Sequence, residues 1–207
     1  MNRTLAKALS IIFNPLLMPT FLLAVFYFFA PHIVDMAGIS VMARLGFLGF
    51  VNVYTFLMPI LLIYFMYSRK WVQTLTLKNL RERRLPYLAT IIFYLFLSYF
   101  LYTRSSHYAP TAILVFFSAV VIIIVAIVSL WWQISAHAAA IGGSAGAFFI
   151  THFKYDEPNL YYASLISLII AGTVMTARLK LNAHSLAQVV AGLLVGIGVS
   201  LAGYSLL

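Results

Sequence analysis

Residues Thr111 to Trp132 read TAILVFFSAVVIIIVAIVSLWW, an apolar stretch without one charged side chain. As a helix with about 1.5 Å of rise per residue, this stretch reaches across the roughly 30 Å hydrocarbon core of a bilayer. It does not alternate apolar and polar residues as a barrel strand does, so only a helix satisfies its backbone groups within lipid. The stretch therefore predicts a transmembrane helix.

The same pattern recurs along the 207-residue chain, in which 64% of the residues are hydrophobic and 8% are charged. Soluble domains carry about a quarter charged residues, so water is not the main solvent of this chain. We predict an all-α fold, a polytopic transmembrane helix bundle of about seven spans that forms one membrane domain over residues 1–207. The apolar runs are Leu16 to Ala30, Leu45 to Tyr67, Leu85 to Tyr102, Thr111 to Trp132, Ser135 to Ile150, Leu160 to Ala177 and His184 to Leu207.

The first run starts with a break. Asn14-Pro15 and Pro19 interrupt helical hydrogen bonding, so residues Ile11 to Thr20 are expected to form a broken or interfacial segment. Six spans are therefore the alternative to seven.

Small residues recur at four-residue spacing in the fifth and seventh runs. Such spacing lets two helix backbones approach closely in a membrane. We predict that these two helices pack tightly inside the bundle. The small residues are Ala138, Gly142, Gly146, Gly192 and Gly196.

Basic residues concentrate on one face of the predicted bundle. The net charge is +9, and the Lys and Arg residues cluster at the ends of apolar runs, where they meet phospholipid headgroups rather than nucleic acid. Ten of the thirteen lie in loops on one face, which the positive-inside tendency assigns to the cytoplasm. These ten are Arg3, Lys7, Arg69, Lys70, Lys78, Arg81, Arg83, Arg84, Arg178 and Lys180.

The residue types that are missing exclude several kinds of chemistry. The chain contains no cysteine, which excludes disulfides, thiolate nucleophiles and sulfur-ligated metals. Its few carboxylates do not cluster, so the sequence offers no site for Mg²⁺ or Ca²⁺. We expect neither a metal nor a cofactor.

Three polar segments follow the even-numbered spans and therefore share the basic face. They supply guanidinium and ammonium groups, two histidines, a serine and two helix N-termini, which are the ingredients of a phosphate site. Singly, basic residues beside a span are ordinary headgroup anchors, and a serine that opens a helix is an ordinary N-cap. Together they favour a functional site, because ionisable groups at membrane depth are costly. The segments are LKNLRERRLP (Leu77 to Pro86), ISAHA (Ile134 to Ala138) and ARLKLNAHSLAQ (Ala177 to Gln188).

The spacing within these segments resembles the type 2 phosphatidic acid phosphatase and haloperoxidase superfamily. The pattern of that family is a Lys with Arg-Pro downstream, then Pro-Ser-Gly-His, then Ser-Arg, five residues, His, three residues and Asp. In this chain Ser135 and His137 stand two apart, and Arg178 is followed after five residues by His184 and after three more by Gln188. The resemblance covers about residues 78–196.

The resemblance implies a metal-independent hydrolase of phosphoric monoesters or diphosphates. His184 would attack phosphorus and form a phosphohistidine intermediate, while His137 would protonate the leaving alcohol and later deprotonate water. Gln188 would accept the Nδ1 proton of His184. The nonbridging phosphate oxygens would be held by Lys78, Arg83 or Arg84, Ser135 and Arg178.

The chain departs from the family pattern at several positions. Gln188 stands where the family has Asp, so the orienting group lacks the charge that stabilises an imidazolium, and activity is expected to be weakened. In the first segment Leu85 separates Arg84 from Pro86, which leaves Arg83 and Arg84 as alternatives for the phosphate contact. The other departures are Ala177 for Ser, Ile134 for Pro and Ala136 for Gly.

Two functions fit these observations. The first is a membrane-embedded lipid phosphate phosphatase, whose substrate tail stays in the bilayer while its headgroup enters the basic site. The second is a non-catalytic relative that binds anionic lipid or serves as a scaffold. In both cases the partners are membrane lipids, and no nucleic acid is expected.

The resemblance also implies an integral protein of a bacterial inner membrane. Better-known bacterial members of the family carry their site on the periplasmic face, whereas the charges of this chain favour the cytoplasm. When Lys78, Arg83, Arg84 and Arg178 are set aside as site residues, six basic residues still face three on the other side. The charge bias therefore predicts a cytoplasmic site.

Overall fold

The computed structural model of the chain describes residues 1–74 and 79–203. Within these ranges it is all-helical, which confirms the all-α part of the predicted fold class. A short 3₁₀ turn, Ser106–Tyr108, leads into α5. The helices are α1 Arg3–Ile12, α2 Met18–Phe29, α3 Val41–Ser68, α4 Leu80–Arg104, α5 Ala109–Val128, α6 Ala136–Tyr155, α7 Pro158–Lys180 and α8 Leu186–Ala202.

Each of the seven apolar runs overlaps one of the helices α2 to α8, and residues 204–207 at the end of the last run lie outside the described residues. By length and composition, four of these helices can cross a membrane: α3, α4, α5 together with its leading turn, and α7. Helices α2 and α8 are also apolar but shorter. The protein thus has the helices of an integral membrane protein.

The largest apolar core packs α2 against α4, α5 and α6. Its fully buried side chains include Phe26 and Tyr27 of α2 and Tyr94 and Leu97 of α4. The hydroxyl of Tyr27 lies 3.0 Å from that of Thr111, so this buried phenol has a polar partner on α5. This core fixes the helices that carry the basic face.

A proline reshapes the middle of α3. Pro59 has no N–H, so it cannot donate to the carbonyl of Thr55 four residues earlier. The turn Val53–Leu57 widens into a π-helix in which Met58 N–H donates to the Val53 carbonyl. The buried Tyr94 hydroxyl of α4 donates to the freed Thr55 carbonyl at 3.0 Å, as expected where no water is at hand.

Helices α6 and α8 make the closest helix contact of the bundle, as the small residues predicted. A Cβ atom added at Gly192 would lie 2.5 Å from the Ser135 carbonyl oxygen. One added at Gly196 would overlap the Ala139 carbonyl and the Gly143 amide. The N-termini of the two helices are joined directly, because Ser135 N–H donates to the Gln188 carbonyl at 3.2 Å.

Replacing Gly196 by Ala should therefore destabilise the bundle. The added methyl group has no space between the two backbones, and overpacking of this kind costs about 1–3 kcal/mol. Gly198→Ala is the matched control on the same helix, because its Cβ would meet nothing within 4 Å. It should leave the free energy of unfolding unchanged or raise it by up to about 1 kcal/mol. Thermal unfolding of both variants in detergent measures this, and equal effects would contradict the tight contact.

Candidate functional site

The N-terminal ends of α4, α6 and α8 and the C-terminal end of α7 meet at one end of the bundle. This arrangement brings Arg83, His137, Arg178 and His184 close enough to interact electrostatically. Side chains from all three polar segments of the sequence thus come together. The fixed contact between α6 and α8 determines the distance between the two histidine-bearing segments.

His184 lies in the loop between α7 and α8, outside the helices. Its Nδ1 atom lies 3.0 Å from the carbonyl oxygen of Gln133, and a carbonyl can only accept, so Nδ1 carries the proton. The Gln133 side chain returns to the same loop, where its Nε2 donates to the Ala183 carbonyl at 3.3 Å. This double contact fixes the ring and leaves the lone pair on Nε2.

The environment of His184 keeps its ring neutral. Burial is the main cause that lowers the pKa of His184 to about 4, and the positive charges of Arg178 and Arg83 also lower it. The hydrogen bond to the Gln133 carbonyl opposes this pKa shift, and the Gln188 side chain opposes it only weakly. At neutral pH the ring is therefore uncharged.

Gln188 does not hold the His184 ring in the way the family pattern implies for this position. Its Oε1 accepts the backbone N–H of Ser185 at 3.0 Å, and the Ser185 hydroxyl accepts the N–H of Gln188 at 3.4 Å. This reciprocal pair is a capping box at the start of α8. The Nδ1 proton goes instead to the main-chain carbonyl of Gln133.

His137 lies in the first turn of α6, half-buried beneath the N-terminal helix α1. Its Nε2–H donates to the main-chain carbonyl of Ser10 at 3.0 Å. Ser135 is fully buried and acts as the N-cap of α6, accepting the Ala138 N–H at 3.4 Å. Because the cap reaches only Ala138, the amides of the two preceding residues remain without an intrahelical acceptor.

The guanidinium groups of the first and third segments differ in burial. Arg83 is 6% exposed and its Nη1 lies 3.5 Å from the Ile134 carbonyl, whereas Arg84 is exposed at the surface. The Nε of Arg178 is buried without a hydrogen-bond partner. Lys78 lies outside the described residues. Of the two alternatives in the first segment, Arg83 is thus the one inside the cluster.

Sequence reasoning missed three contributors to this site. Gln133 and Ser10 contribute main-chain carbonyls, for which no sequence signal exists. Tyr87 stands four residues after Arg83 and therefore lies on the same face of α4, which the sequence alone could have shown. In the structure Tyr87 also lies close to Arg178. Tyr87 also forms part of the wall of an apolar cavity of about 70 Å³ inside the bundle.

Comparisons of the chain with family models, with curated proteins and with solved structures gave no match. The function of the protein is therefore argued from the geometry of this site.

The half-buried ring of His184 should titrate near pH 4, which histidine-selective NMR of the full-length protein can measure. Arg178→Gln should raise this pKa because it removes a nearby positive charge, while Arg84→Gln should not. Since the folded-state pKa lies below the unfolded value of 6.5, protonation favours unfolding. Stability should fall as the pH drops from 6.5 through 4. A wild-type midpoint near 6.5 would contradict the observed burial.

The cluster should bind a small oxyanion. The guanidinium groups of buried Arg83 and half-buried Arg178 repel each other, and an anion that accepts from the unpartnered Arg178 Nε relieves the repulsion. Titration calorimetry with vanadate or phosphate at low ionic strength should show that Arg178→Gln weakens binding by about 10- to 100-fold. Arg84→Gln, an equal charge change at an exposed position, is the control. Absence of binding, or equal losses in both variants, would count against the site.

Proposed function

We propose that this protein is a membrane-embedded lipid phosphate phosphatase, a metal-independent hydrolase of phosphoric monoesters or diphosphates. The observation that carries the proposal is the His184 ring, whose proton is held on Nδ1 by a carbonyl and whose charge is influenced by two nearby guanidinium groups, buried Arg83 and half-buried Arg178. A non-catalytic anion site needs the positive charges but has no need for an oriented neutral imidazole. The family resemblance of the sequence supports the same reaction.

In the first step His184 Nε2 attacks phosphorus, a P–N bond forms, and the bond to the leaving alcohol oxygen breaks. Arg178 and Arg83 stabilise the charge on the nonbridging oxygens, together with the free amides at the start of α6. His137 protonates the leaving oxygen. Because its Nε2 is engaged by the Ser10 carbonyl, Nδ1 is the atom that gives the proton.

In the second step water attacks the phosphohistidine. His137 Nδ1 accepts the proton of the water, the P–N bond breaks, and inorganic phosphate leaves as His184 returns to its neutral form. The negative charge of the bound phosphate favours protonation of His137 among the guanidinium groups. No metal or other cofactor takes part in either step.

An apolar cavity next to the site supports a lipid substrate. The cavity of about 70 Å³ runs inward from Tyr87 and Ala136, which lie beside site residues, towards Leu22 and Leu114 in the core. The part of an acyl or prenyl chain nearest the headgroup would fit here, with the phosphate at the cluster. Phosphatidate, phosphatidylglycerophosphate and polyprenyl diphosphates all have this form.

We propose further that helices α2 to α8 provide seven spans with the site at the cytoplasmic face. Helix α6 is rich in small residues and is enclosed by neighbouring helices, so it needs less apolar surface than a lipid-facing span. Helix α2 is short and completes its span with the turn that precedes it, and six spans are the alternative if it does not. The charge bias of the loops supports the orientation.

A non-catalytic relative that binds anionic lipid is the second candidate. The observation that favours it is Gln188, which caps α8 and carries no charge for an imidazolium. Both candidates bind a phosphate group, but only the first hydrolyses a lipid phosphate and releases inorganic phosphate.

Phosphate release from a panel of lipid phosphates separates the two candidates. His184→Ala should abolish release because the nucleophile is lost. His107→Ala should not change it, because this half-buried histidine follows the C-terminal end of α4, whereas the site lies at the N-terminal end. Gln188→Asp should keep or raise the rate because a carboxylate stabilises the cationic ring. Thermal stability must be measured in parallel, since the change also alters the capping box.

One outcome would end the enzyme proposal. If wild type and a well-folded Gln188→Asp variant both release no phosphate, while Arg178→Ala still weakens anionic-lipid binding, the protein is the lipid-binding relative.

A further inference from the structure

Helix α1 has two flanks of opposite character on either side of a narrow buried face. The buried face consists of Ala6 and Ser10, which are 0% and 9% exposed. At about 100° per residue, Arg3 and Lys7 share one flank and are exposed. Leu5 and Ile12 share the opposite flank, where both are about half exposed, and Ile11, which is 70% exposed, lies on the outward side between the two flanks. The apolar flank is therefore only partly covered by the described protein.

The position of α1 is known from its contacts. It packs on α7, and its last turn reaches the start of α6, where the Ser10 carbonyl accepts from His137. Helix α1 thus lies at the end of the bundle that carries the basic cluster. At this end a helix with one apolar and one basic flank fits the boundary between acyl chains and headgroups.

The charge of α1 selects the lipid. The helix contains Arg3 and Lys7 and no acidic residue. The four carboxylates of the chain belong to Asp35, Glu82, Asp156 and Glu157, and Glu82 is engaged by Thr74 and Asn79. An anionic headgroup is the partner of complementary charge.

The contact between α1 and His137 has a structural cause. Ser10 is among the last four residues of α1, whose carbonyls receive no N–H from within the helix. The next available amide, that of Asn14, donates to Ile11 instead. His137 supplies the missing donor, so any displacement of α1 removes the acceptor that holds this ring.

We propose that α1 is a membrane-surface helix that binds anionic lipid headgroups through Arg3 and Lys7, and that this binding holds the Ser10 carbonyl on His137. The partner is the anionic lipid of the bilayer in which the bundle sits. The lipid-binding surface does not depend on the phosphatase proposal. Its consequence for catalysis, an acid-base histidine positioned by the lipid surface, does rest on that proposal.

The absence of cysteine makes a direct test possible, since one introduced cysteine takes a spin label uniquely. Ala8→Cys places the label on an exposed position of α1 outside both flanks. The full-length protein is reconstituted in nanodiscs of phosphatidylcholine alone or mixed with phosphatidylglycerol. The label should be less mobile, and less accessible to a water-soluble nickel complex, in the anionic discs.

The charges of α1 should account for this difference. Arg3→Gln with Lys7→Gln should abolish the dependence on anionic lipid. Arg69→Gln with Lys70→Gln removes the same charge from another exposed segment of the basic face and should preserve it. Equal spectra in both lipids, or a dependence that survives the α1 variant, would overturn the lipid-binding proposal.

The link to the site is tested on the same labelled protein. His137→Ala should raise the mobility of the label in anionic discs, whereas His184→Ala, which leaves the bond to Ser10 intact, should not. His137→Gln retains an N–H donor and should restore order to the helix if His137→Ala proves unstable. Unchanged mobility in both His137 variants would overturn the coupling. None of these measurements uses phosphate release, so failure of this proposal can be distinguished from failure of the phosphatase proposal.

Discussion

The site depends on the absence of side chains between α6 and α8. At Gly142, Gly192 and Gly196 the two backbones occupy the space that a Cβ would take. This approach sets the N-termini of both helices side by side and allows one main-chain bond, from Ser135 to Gln188, to join them. The helix start that bears His137 and the helix start that follows the His184 loop are therefore held by the scaffold. Such rigidity is what positioned chemistry requires.

Positive charge that is concentrated at one end of an apolar bundle is unfavourable unless opposite charge stabilises it. Arg83 and Arg178 are close enough to repel, and Arg178 keeps a buried N–H without an acceptor. Leaving such a group unpaired costs more than the average hydrogen bond contributes. The proposed anion would remove this cost by accepting from the Arg178 Nε. The same low local polarity that makes the unpaired state costly strengthens the anion contact when it forms.

Hydrophobicity was sufficient to predict most of the fold, because backbone groups in lipid have no alternative to helices. Every apolar run from Leu16 onwards contains a helix. The ends were predicted less well: the fourth run was expected to continue to Trp132, but α5 stops at Val128. The last run was expected to begin at His184, although Ser185 and Gln188 form a capping box that starts α8 at Leu186. Helix α1 was not predicted, since its alternating polar and apolar residues do not form an apolar run.

For the site, spacing along the chain predicted which side chains gather but not what orients them. The alternation of spans and the interval from Arg178 to His184 were sufficient to bring the third segment beside the second. The choice between Arg83 and Arg84 needed the direction of each side chain on α4, which sequence does not supply. Gln188 was assigned an orienting role by analogy, whereas the backbone of Gln133 occupies that position.

Both histidines of the site are held by main-chain carbonyls, those of Gln133 and Ser10. A carbonyl belongs to every residue type, so substitution at position 133 or 10 removes a side chain and leaves the acceptor in place. The residue types at positions 133 and 10 can therefore change during evolution while the two carbonyl acceptors keep their positions. In mutational scanning, changes at position 133 would remove only the side-chain bond to the Ala183 carbonyl. The carbonyl acceptors themselves would be revealed only by changes that redirect the backbone, such as proline or an insertion.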